Sequence, residues 1–349
     1  MNHFPILDGH NDTLLNLYHS ERGLGRSFFI ESDAGHIDLP RAERSGFGGG
    51  FFAVFTPNSS YKMEAAETGL GYEIPLPPPI DHEYAVRKTH AMAANLFRYE
   101  AESSGRFKVV RSSDELSSCI EKQIVAAIFH IEGAEAIDTD LDALHVFYKA
   151  GLRSLGIVWS RPNAFGEGVP FKFPSSPDIG GGLTAAGKNL VRECNSLGIM
   201  LDTSHLTEKG FWDVANITDK PIVATHSNAH ALCPMSRNIT DKQIAAIAES
   251  GGVVGINFSI GMLRKDGGRD DNTPIHEISR HIEYIAGKFG IDHVAFGSDF
   301  DGTNIPAELK DVTGLPKIIQ DLREKGFSDS DLLKISHQNW QRVLKNTWK

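Results

Sequence analysis

Carboxylate and imidazole side chains follow several apolar runs of this chain, at the points where those runs stop. The motifs with this placement are His10-Asn11-Asp12, His130-Ile131-Glu132, Asp202-Thr203-Ser204-His205, Thr225-His226-Ser227 and Gly297-Ser298-Asp299. In an extended chain residues i and i+2 point to the same face, so His10 and Asp12 can reach one metal ion together. Glu132 can bridge two cations, because its carboxylate has two oxygens and its charge offsets theirs.

Each motif taken alone also has an ordinary structural explanation. A single histidine at a strand end is more often a buried, hydrogen-bonded residue than a metal ligand, and we interpret His130 in that way. Asp299 and Asp301 both suit a turn or a helix cap. Taken together, five ligands of the His, Asp and Glu type are one too many for a tetrahedral zinc ion. They suit two cations that share a bridging carboxylate.

The elements that carry these motifs alternate between strand and helix. Eight strand-like runs are predicted at Ile6–Asp12, Phe47–Thr56, Ile124–Glu132, Ser154–Trp159, Ile199–His205, Ile222–His226, Val253–Phe258 and Val294–Asp299. Helical patterns are predicted near 81–104, 138–150, 184–196, 207–216, 240–250, 274–289, 316–325 and 328–345. Eight such repeats predict an α/β fold of the (β/α)8 TIM-barrel type, whose active site lies at the C-terminal ends of the strands. An open doubly wound sheet is the alternative, but no GxGxxG motif follows the first strand.

Composition narrows the class of protein further. The chain has 349 residues, of which 40% are hydrophobic and 23% are charged, with a net charge of −10. This acidic balance argues against a nucleic-acid partner. The three cysteines are too few and too scattered for a disulfide framework. No apolar run approaches the ~18 residues of a membrane span, and the N-terminus has no signal-peptide pattern, so we expect a cytoplasmic protein without a membrane partner.

Domain organisation is predicted to be simple. No linker or internal repeat interrupts residues 1–349, so we expect a single barrel domain. A Pro-rich loop insert near 57–80 is the exception, and inserts of that length often form substrate walls or lids.

The motifs as a set resemble the membrane (renal) dipeptidase family, peptidase family M19 of the amidohydrolase superfamily. The resemblance rests on Asp8 to Asp12, Glu132-Gly133, Asp202 to His205, Thr225 to Ala229, Ser236-Arg237-Asn238 and Gly297 to Gly302, and it covers nearly the whole chain. It implies a binuclear zinc metallopeptidase that hydrolyses dipeptides, including those with a C-terminal D-residue, by a metal-bridged hydroxide. It also implies a homodimer.

The resemblance assigns roles to individual residues. It implies that His10 and Asp12 bind one zinc ion, that His205 and His226 bind the other, and that Glu132 bridges them. It further implies that Arg237 binds the substrate's terminal carboxylate, for which its planar fork is suited. Asp299 is the implied proton shuttle, so Asp299 and Glu132 are the predicted catalytic residues.

One position departs from the family pattern. The family usually has a substrate-binding histidine at the end of the fourth strand, and here Trp159 takes its place. An indole N–H can donate a hydrogen bond but cannot titrate or accept one, so oxyanion stabilisation falls to the metal, to Trp159 or to Arg161. This departure keeps open another amidohydrolase reaction, on an N-acyl amino acid, a lactam or a lactone. A non-enzymatic metal-binding scaffold is the third hypothesis.

Overall fold

The computed structural model describes residues 4–58, 63–69 and 71–349. The strands are β1 (Ile6–Asn11), β2 (Phe47–Phe55), β3 (Ala66–Thr68), β4 (Gly71–Ile74), β5 (Phe107–Val109), β6 (Val125–Glu132), β7 (Leu152–Gly156), β8 (Phe171–Phe173), β9 (Met200–Asp202), β10 (Val223–Ala224), β11 (Val253–Ile256) and β12 (Val294–Phe296). The α-helices are α1 (Thr13–Tyr18), α2 (Ser20–Gly23), α3 (Leu39–Ser45), α4 (His82–Glu102), α5 (Ser113–Glu121), α6 (Asp142–Ala150), α7 (Ala185–Leu197), α8 (Glu208–Ile217), α9 (Asp241–Glu249), α10 (His276–Phe289), α11 (Leu315–Glu324), α12 (Asp329–Leu333) and α13 (Asn339–Thr347). Within these ranges, no helix is both long enough and apolar enough to cross a membrane.

Eight parallel strands form the barrel in the order β1-β2-β6-β7-β9-β10-β11-β12. The ring closes between its first and last strands: the Asp12 amide donates to the Phe300 carbonyl at 2.7 Å, and the Asp299 amide donates to the His10 carbonyl at 3.0 Å. The buried Asp8 carboxylate reinforces the seam by accepting from the Ser298 amide at 2.6 Å and from the Ser298 hydroxyl at 2.8 Å. The prediction of a (β/α)8 barrel is confirmed.

Strand β6 shows how the sequence pattern positions functional side chains. Ala126 and Ile128 pack in the barrel interior, and His130 and Glu132 continue the same inward face towards the strand's C-terminal end. The intervening Phe129 points outward and packs against the helices. Because side chains alternate between the two faces of β6, its inward face supplies both core residues and residues of the candidate site.

The strands that carry the histidine motifs are shorter than predicted. Strand β7 ends before Trp159, β9 before His205 and β10 before His226, so these side chains lie on the loops that follow the strands. The cause is the local hydrogen bonding of the polar motif: the Ser204 amide donates to the Asp202 carboxylate at 3.0 Å instead of to a neighbouring strand. Side chains of this kind compete with sheet pairing and favour turns.

The Pro-rich insert contains more structure than a loop. Its strands β3 and β4 form an antiparallel hairpin, and β8 adds to the other edge of β4. Part of the predicted insert, residues 59–62 and 70, lies outside the described residues. The small sheet is held by Tyr72, which stacks on Phe173 with ring centroids 6.1 Å apart.

The last helix closes the N-terminal end of the barrel. Trp340 on α13 is fully buried among interior side chains, and its indole N–H donates to the Phe296 carbonyl at 3.0 Å. A Cβ atom at Gly9 would lie 2.5 Å from the Trp340 ring and 2.4 Å from the Thr225 carbonyl oxygen. Only glycine therefore fits at position 9, next to His10, because the Trp340 ring fills the space that a side chain would need.

We predict that Trp340→Ala lowers the free energy of unfolding by about 3–5 kcal/mol, because it opens a cavity at the closed end of the barrel. Lys345→Ala, on the exposed face of the same helix, should change the unfolding free energy by less than about 0.5 kcal/mol. Urea titration followed by circular dichroism measures both effects. Equal stability of the two variants would contradict the role given to Trp340.

Candidate active site

The predicted ligands converge at the C-terminal end of the barrel. His10 lies on β1 and Glu132 is the last residue of β6, while Asp12, His205 and His226 follow their strands by one to three residues. All five side chains are buried. Because the carboxyl ends of parallel strands meet at one face of a barrel, residues far apart in the sequence become neighbours here.

Glu132 is at the centre of this cluster, and its two oxygens face different partners. Oε1 lies 3.0 Å from His205 Nε2 and 3.5 Å from His226 Nε2. Oε2 lies 3.6 Å from His10 Nε2, and the same nitrogen is 3.6 Å from Asp12 Oδ2. The two oxygens thus face different imidazoles, although the His10 and His226 rings themselves lie only 3.9 Å apart between centroids.

Hydrogen bonds behind the cluster orient two of the imidazoles. His205 Nδ1 lies 2.8 Å from Ser160 Oγ, and His226 Nδ1 lies 2.8 Å from Thr225 Oγ1. The Thr225 hydroxyl donates to Asp202 Oδ2 at 2.6 Å, so its oxygen accepts from His226. Hydrogen bonding at Nδ1 orients each ring so that its Nε2 faces Glu132, as outer hydrogen bonds do in metal sites.

The charge balance of the cluster favours a cation. Burial lowers the pKa of His205 and of His226 well below the usual range, so both rings are neutral. Burial also acts to lower the pKa of His10, but the Glu132 and Asp12 carboxylates outweigh it and raise the value to about 10. The carboxylates therefore stabilise positive charge at the position that His10 faces.

Unpartnered polar atoms show that these residues fit a metal ion. Both ring nitrogens of His10 and Oδ1 of Asp12 are buried without a hydrogen-bond partner among the described residues. Ligand atoms of His10, Glu132 and His226 lie within 4.8 Å of one another, and so do those of His10, Asp12 and Asp299. Nitrogen and carboxylate oxygen donors in this arrangement suit a transition-metal centre.

His130 lies behind His10 rather than in the cavity. Its Nδ1 is 2.8 Å from Ser154 Oγ, and its ring meets the His10 ring edge-on at a centroid distance of 5.5 Å. Its Nε2 faces Asp202 Oδ2 at 3.9 Å. This position agrees with the interpretation of His130 as a buried supporting residue.

The structure separates the two candidate aspartates. Asp299 lines the cavity, and the side-chain amide of Asn257 donates to its Oδ2 at 2.8 Å. Burial raises the pKa of Asp299 to about 6, against the opposing effect of His10. Asp301 points away: its carboxylate accepts from Thr13, Arg26 and the His36 amide.

Arg237 reaches the cluster from the loop after β10. Its Nη1 donates to the Ser204 carbonyl, and its Nη2 donates to the His226 carbonyl at 3.2 Å. Its Nε has no hydrogen-bond partner among the described residues. The side chain is buried, and burial lowers the pKa of its guanidinium to about 10. This is a fixed cation beside the His205/His226 half.

Trp159 forms part of an aromatic wall. Its ring lies 5.0 Å from Phe55, 5.9 Å from Phe171 and 5.9 Å from His205, measured between centroids. Arg161, the other candidate for oxyanion stabilisation, is fully buried behind this wall. Its guanidinium donates to Glu135 and Asn58 and is therefore committed to holding the loops together.

A cavity of about 760 Å³ opens onto these groups. Its lining includes Asp12, Glu132, Trp159, His205, His226, Arg237 and Asp299. Sequence reasoning missed two supporting residues, Asn257 and Ser160. Asn257 directly follows β11, so the strand-end signal that identified the ligands was present there too.

Comparison with known proteins agrees with this geometry. The family model for membrane dipeptidase, peptidase family M19, matches residues 1–349. A solved metallo peptidase from Rhodobacter sphaeroides, liganded with a phosphinate mimic of the dipeptide L-Ala-D-Ala, is 48% identical with a TM-score of 0.95 over 99% of this chain and 100% of that chain.

Two further relatives extend the comparison. The solved dipeptidase AC, a family M19 metallo peptidase, is 49% identical with a TM-score of 0.92 over 99% of each chain. An uncharacterized protein in the pqqA 5′ region of Klebsiella pneumoniae is 51% identical over 249 residues, which are 71% of this chain and 92% of that protein. The chain therefore belongs to peptidase family M19, the membrane dipeptidases.

Proposed function

We propose that this protein is a zinc-dependent dipeptidase that holds two zinc ions and cleaves dipeptides, including those with a C-terminal D-residue. The observation that carries the proposal is the division of the Glu132 oxygens between His10 on one side and the His205/His226 pair on the other. The similar Rhodobacter sphaeroides peptidase carries a mimic of L-Ala-D-Ala, which supports the L,D class of substrate.

His10 and Asp12 would hold one ion, His205 and His226 the other, and Glu132 both. Bound zinc supplies Lewis acidity, which polarises a carbonyl group and lowers the pKa of water. Asp299 takes the proton of the water that attacks the peptide carbonyl and returns it to the leaving amine. Its raised pKa of about 6 suits a group that must both accept and release a proton near neutral pH.

Arg237 would bind the substrate's terminal carboxylate. Its two Nη groups are held by backbone carbonyl groups, while Nε remains free to donate. A buried cation at one end of the cavity restricts the substrate to molecules whose carboxylate lies one residue beyond the scissile bond. Dipeptides should therefore be preferred over longer peptides.

The aromatic wall supports a second candidate function. Phe55, Trp159 and Phe171 offer an apolar surface next to His205. An N-acyl amino acid would bind Arg237 through its carboxylate and could place its acyl group on this wall. Turnover of a panel of L,L- and L,D-dipeptides by zinc-reconstituted protein, compared with N-acyl amino acids, lactams and lactones, separates the two functions. Two bound zinc ions without turnover of any amide would favour the scaffold hypothesis.

Two other expectations stay predictions. The resemblance implies a homodimer, which sedimentation equilibrium would measure. The cytoplasmic location is testable by fractionation of the producing cells.

Glu132→Gln should reduce the occupancy of both metal ions, because a neutral amide bridges two cations poorly. Elemental analysis after reconstitution measures the zinc content, with two ions per chain expected for the unsubstituted protein. Glu121→Gln, at an exposed position, is the control. Loss of only one ion from Glu132→Gln would show that Glu132 is not the bridge.

Arg237→Lys should weaken binding of free dipeptides far more than binding of the same dipeptides with an amidated C-terminus. Lysine retains the charge but has neither the Nε donor nor the fork that backbone carbonyls hold in place. The measured quantity is the KM for each substrate pair, with Arg44→Lys on the surface as control. Equal losses on both substrates would contradict a carboxylate-binding role.

Asp299→Asn should lower kcat by about 10²–10⁴-fold, since it removes the proton shuttle, while most of the metal stays bound. Asp301→Asn is the matched control, because Asp301 is bonded to Thr13 and Arg26 outside the cavity. Its kcat should fall much less in folded, metal-loaded protein. A larger loss of kcat in Asp301→Asn would overturn the assignment.

A further inference from the structure

The mouth of the cavity contains a cation without a counter-charge. Arg22, on the short helix α2, is exposed and lines the cavity, but it makes no ion pair within the described ranges. Among the other arginines that line the cavity, Arg237 is held by backbone carbonyls, and Arg269 pairs with Glu67 at 3.2 Å. In the part of the chain that the structure describes, the guanidinium of Arg22 thus has no side-chain partner, whereas Arg237 keeps only its Nε free.

A second cation, Lys88, acts on the same histidine as Arg22. Lys88, on α4, donates to the Tyr18 hydroxyl at 3.3 Å and has no carboxylate partner in the part of the chain described here. Burial lowers the pKa of His19, and the charges of Lys88 and Arg22 lower it further. Glu21 acts on His19 in the opposite sense but pairs with neither cation. In a chain of net charge −10, this corner carries local positive charge.

The residues that line the cavity indicate where Arg22 lies relative to the cluster around Glu132. Arg237 touches the His205/His226 half of the cluster. On the other half, Asp12 leads directly into α1, from which Leu15 lines the cavity, and α2 follows with Arg22. A dipeptide with its carboxylate on Arg237 and its scissile carbonyl above Glu132 therefore extends its N-terminal residue towards Leu15 and Arg22.

We propose that Arg22 forms a subsite for a negatively charged side chain on the N-terminal residue of the substrate, so that L-glutamyl and L-aspartyl dipeptides are favoured. This inference rests on the proposed dipeptidase function and deepens it. Leu15 offers an apolar contact for the methylene groups, and Arg22 meets the carboxylate. Lys88 strengthens the local positive potential, which draws an anionic substrate to the mouth.

The test compares isosteric substrates. We expect kcat/KM for L-Glu-D-Ala to exceed that for L-Gln-D-Ala by about two- to fivefold, the upper part of the range for a solvent-exposed charge pair, and the ratio to shrink at high ionic strength. Arg22→Gln should reduce this ratio to about one. Arg22→Glu should lower the ratio below one and should raise kcat/KM for L-Lys-D-Ala above that for L-Gln-D-Ala. Hydrolysis of L-Ala-D-Ala should remain within about twofold, because the subsite is exposed and away from the metal ligands.

The control is Arg44→Gln, which removes an exposed arginine paired with Glu31 far from the cavity and should leave the Glu/Gln ratio unchanged. A ratio of one in the unsubstituted protein, or a ratio that Arg22→Gln does not alter, would overturn the subsite. Failure to hydrolyse any dipeptide would instead contradict the proposed function, so the two failures are distinguishable.

Discussion

The arrangement of the site depends on one physical constraint: the charge of the buried Glu132 carboxylate must be offset by its surroundings. Glu132 lies at the end of an interior strand with both oxygens facing imidazoles, and burial raises its pKa well above the usual range. A charge in this position is costly unless opposite charge or coordination offsets it. The neutral rings of His205 and His226 provide ligand atoms rather than charges, whereas the carboxylates beside His10 stabilise positive charge at that ring. Positive charge from a metal ion is what such a cluster accommodates.

The surrounding fold holds these ligands in place through successive layers. Asp202 accepts hydrogen bonds from the Thr225 amide and hydroxyl and thereby fixes the orientation of His226. Below the cluster, the Trp340 plug fills the barrel and leaves room only for glycine before His10. At Gly302 a Cβ atom would lie 2.1 Å from Asp12 Oδ2 and 2.3 Å from Asp299 Oδ1, so the backbone approaches these two carboxylates closely. Packing and hydrogen bonding therefore act together on the same few side chains.

The rim of the cavity has a different physical character from its floor. The floor is built from buried, mutually bonded groups that leave little freedom for substitution. The rim combines an aromatic wall around Trp159 with Arg22, which has no ion pair among the described residues. Because rim side chains such as Trp159 are not hydrogen-bonded to the candidate metal ligands, substitution there would alter the cavity wall and leave the cluster of imidazoles and carboxylates in place.

The sequence by itself predicted the barrel and the candidate ligands, because the strand pattern and the polar residues at strand ends are both local features. Alternation along β6 and the polar residues that end each apolar run are readable without coordinates, and residues such as His10 and Glu132 follow from them. Tertiary structure decided what depends on contacts between distant segments. It distinguished Asp299 from Asp301 through the partners of each carboxylate, committed Arg161 to Glu135, and shortened the strands where polar side chains replace sheet pairing. Long-range hydrogen bonds leave no periodic signal in a chain, so only the fold reveals them.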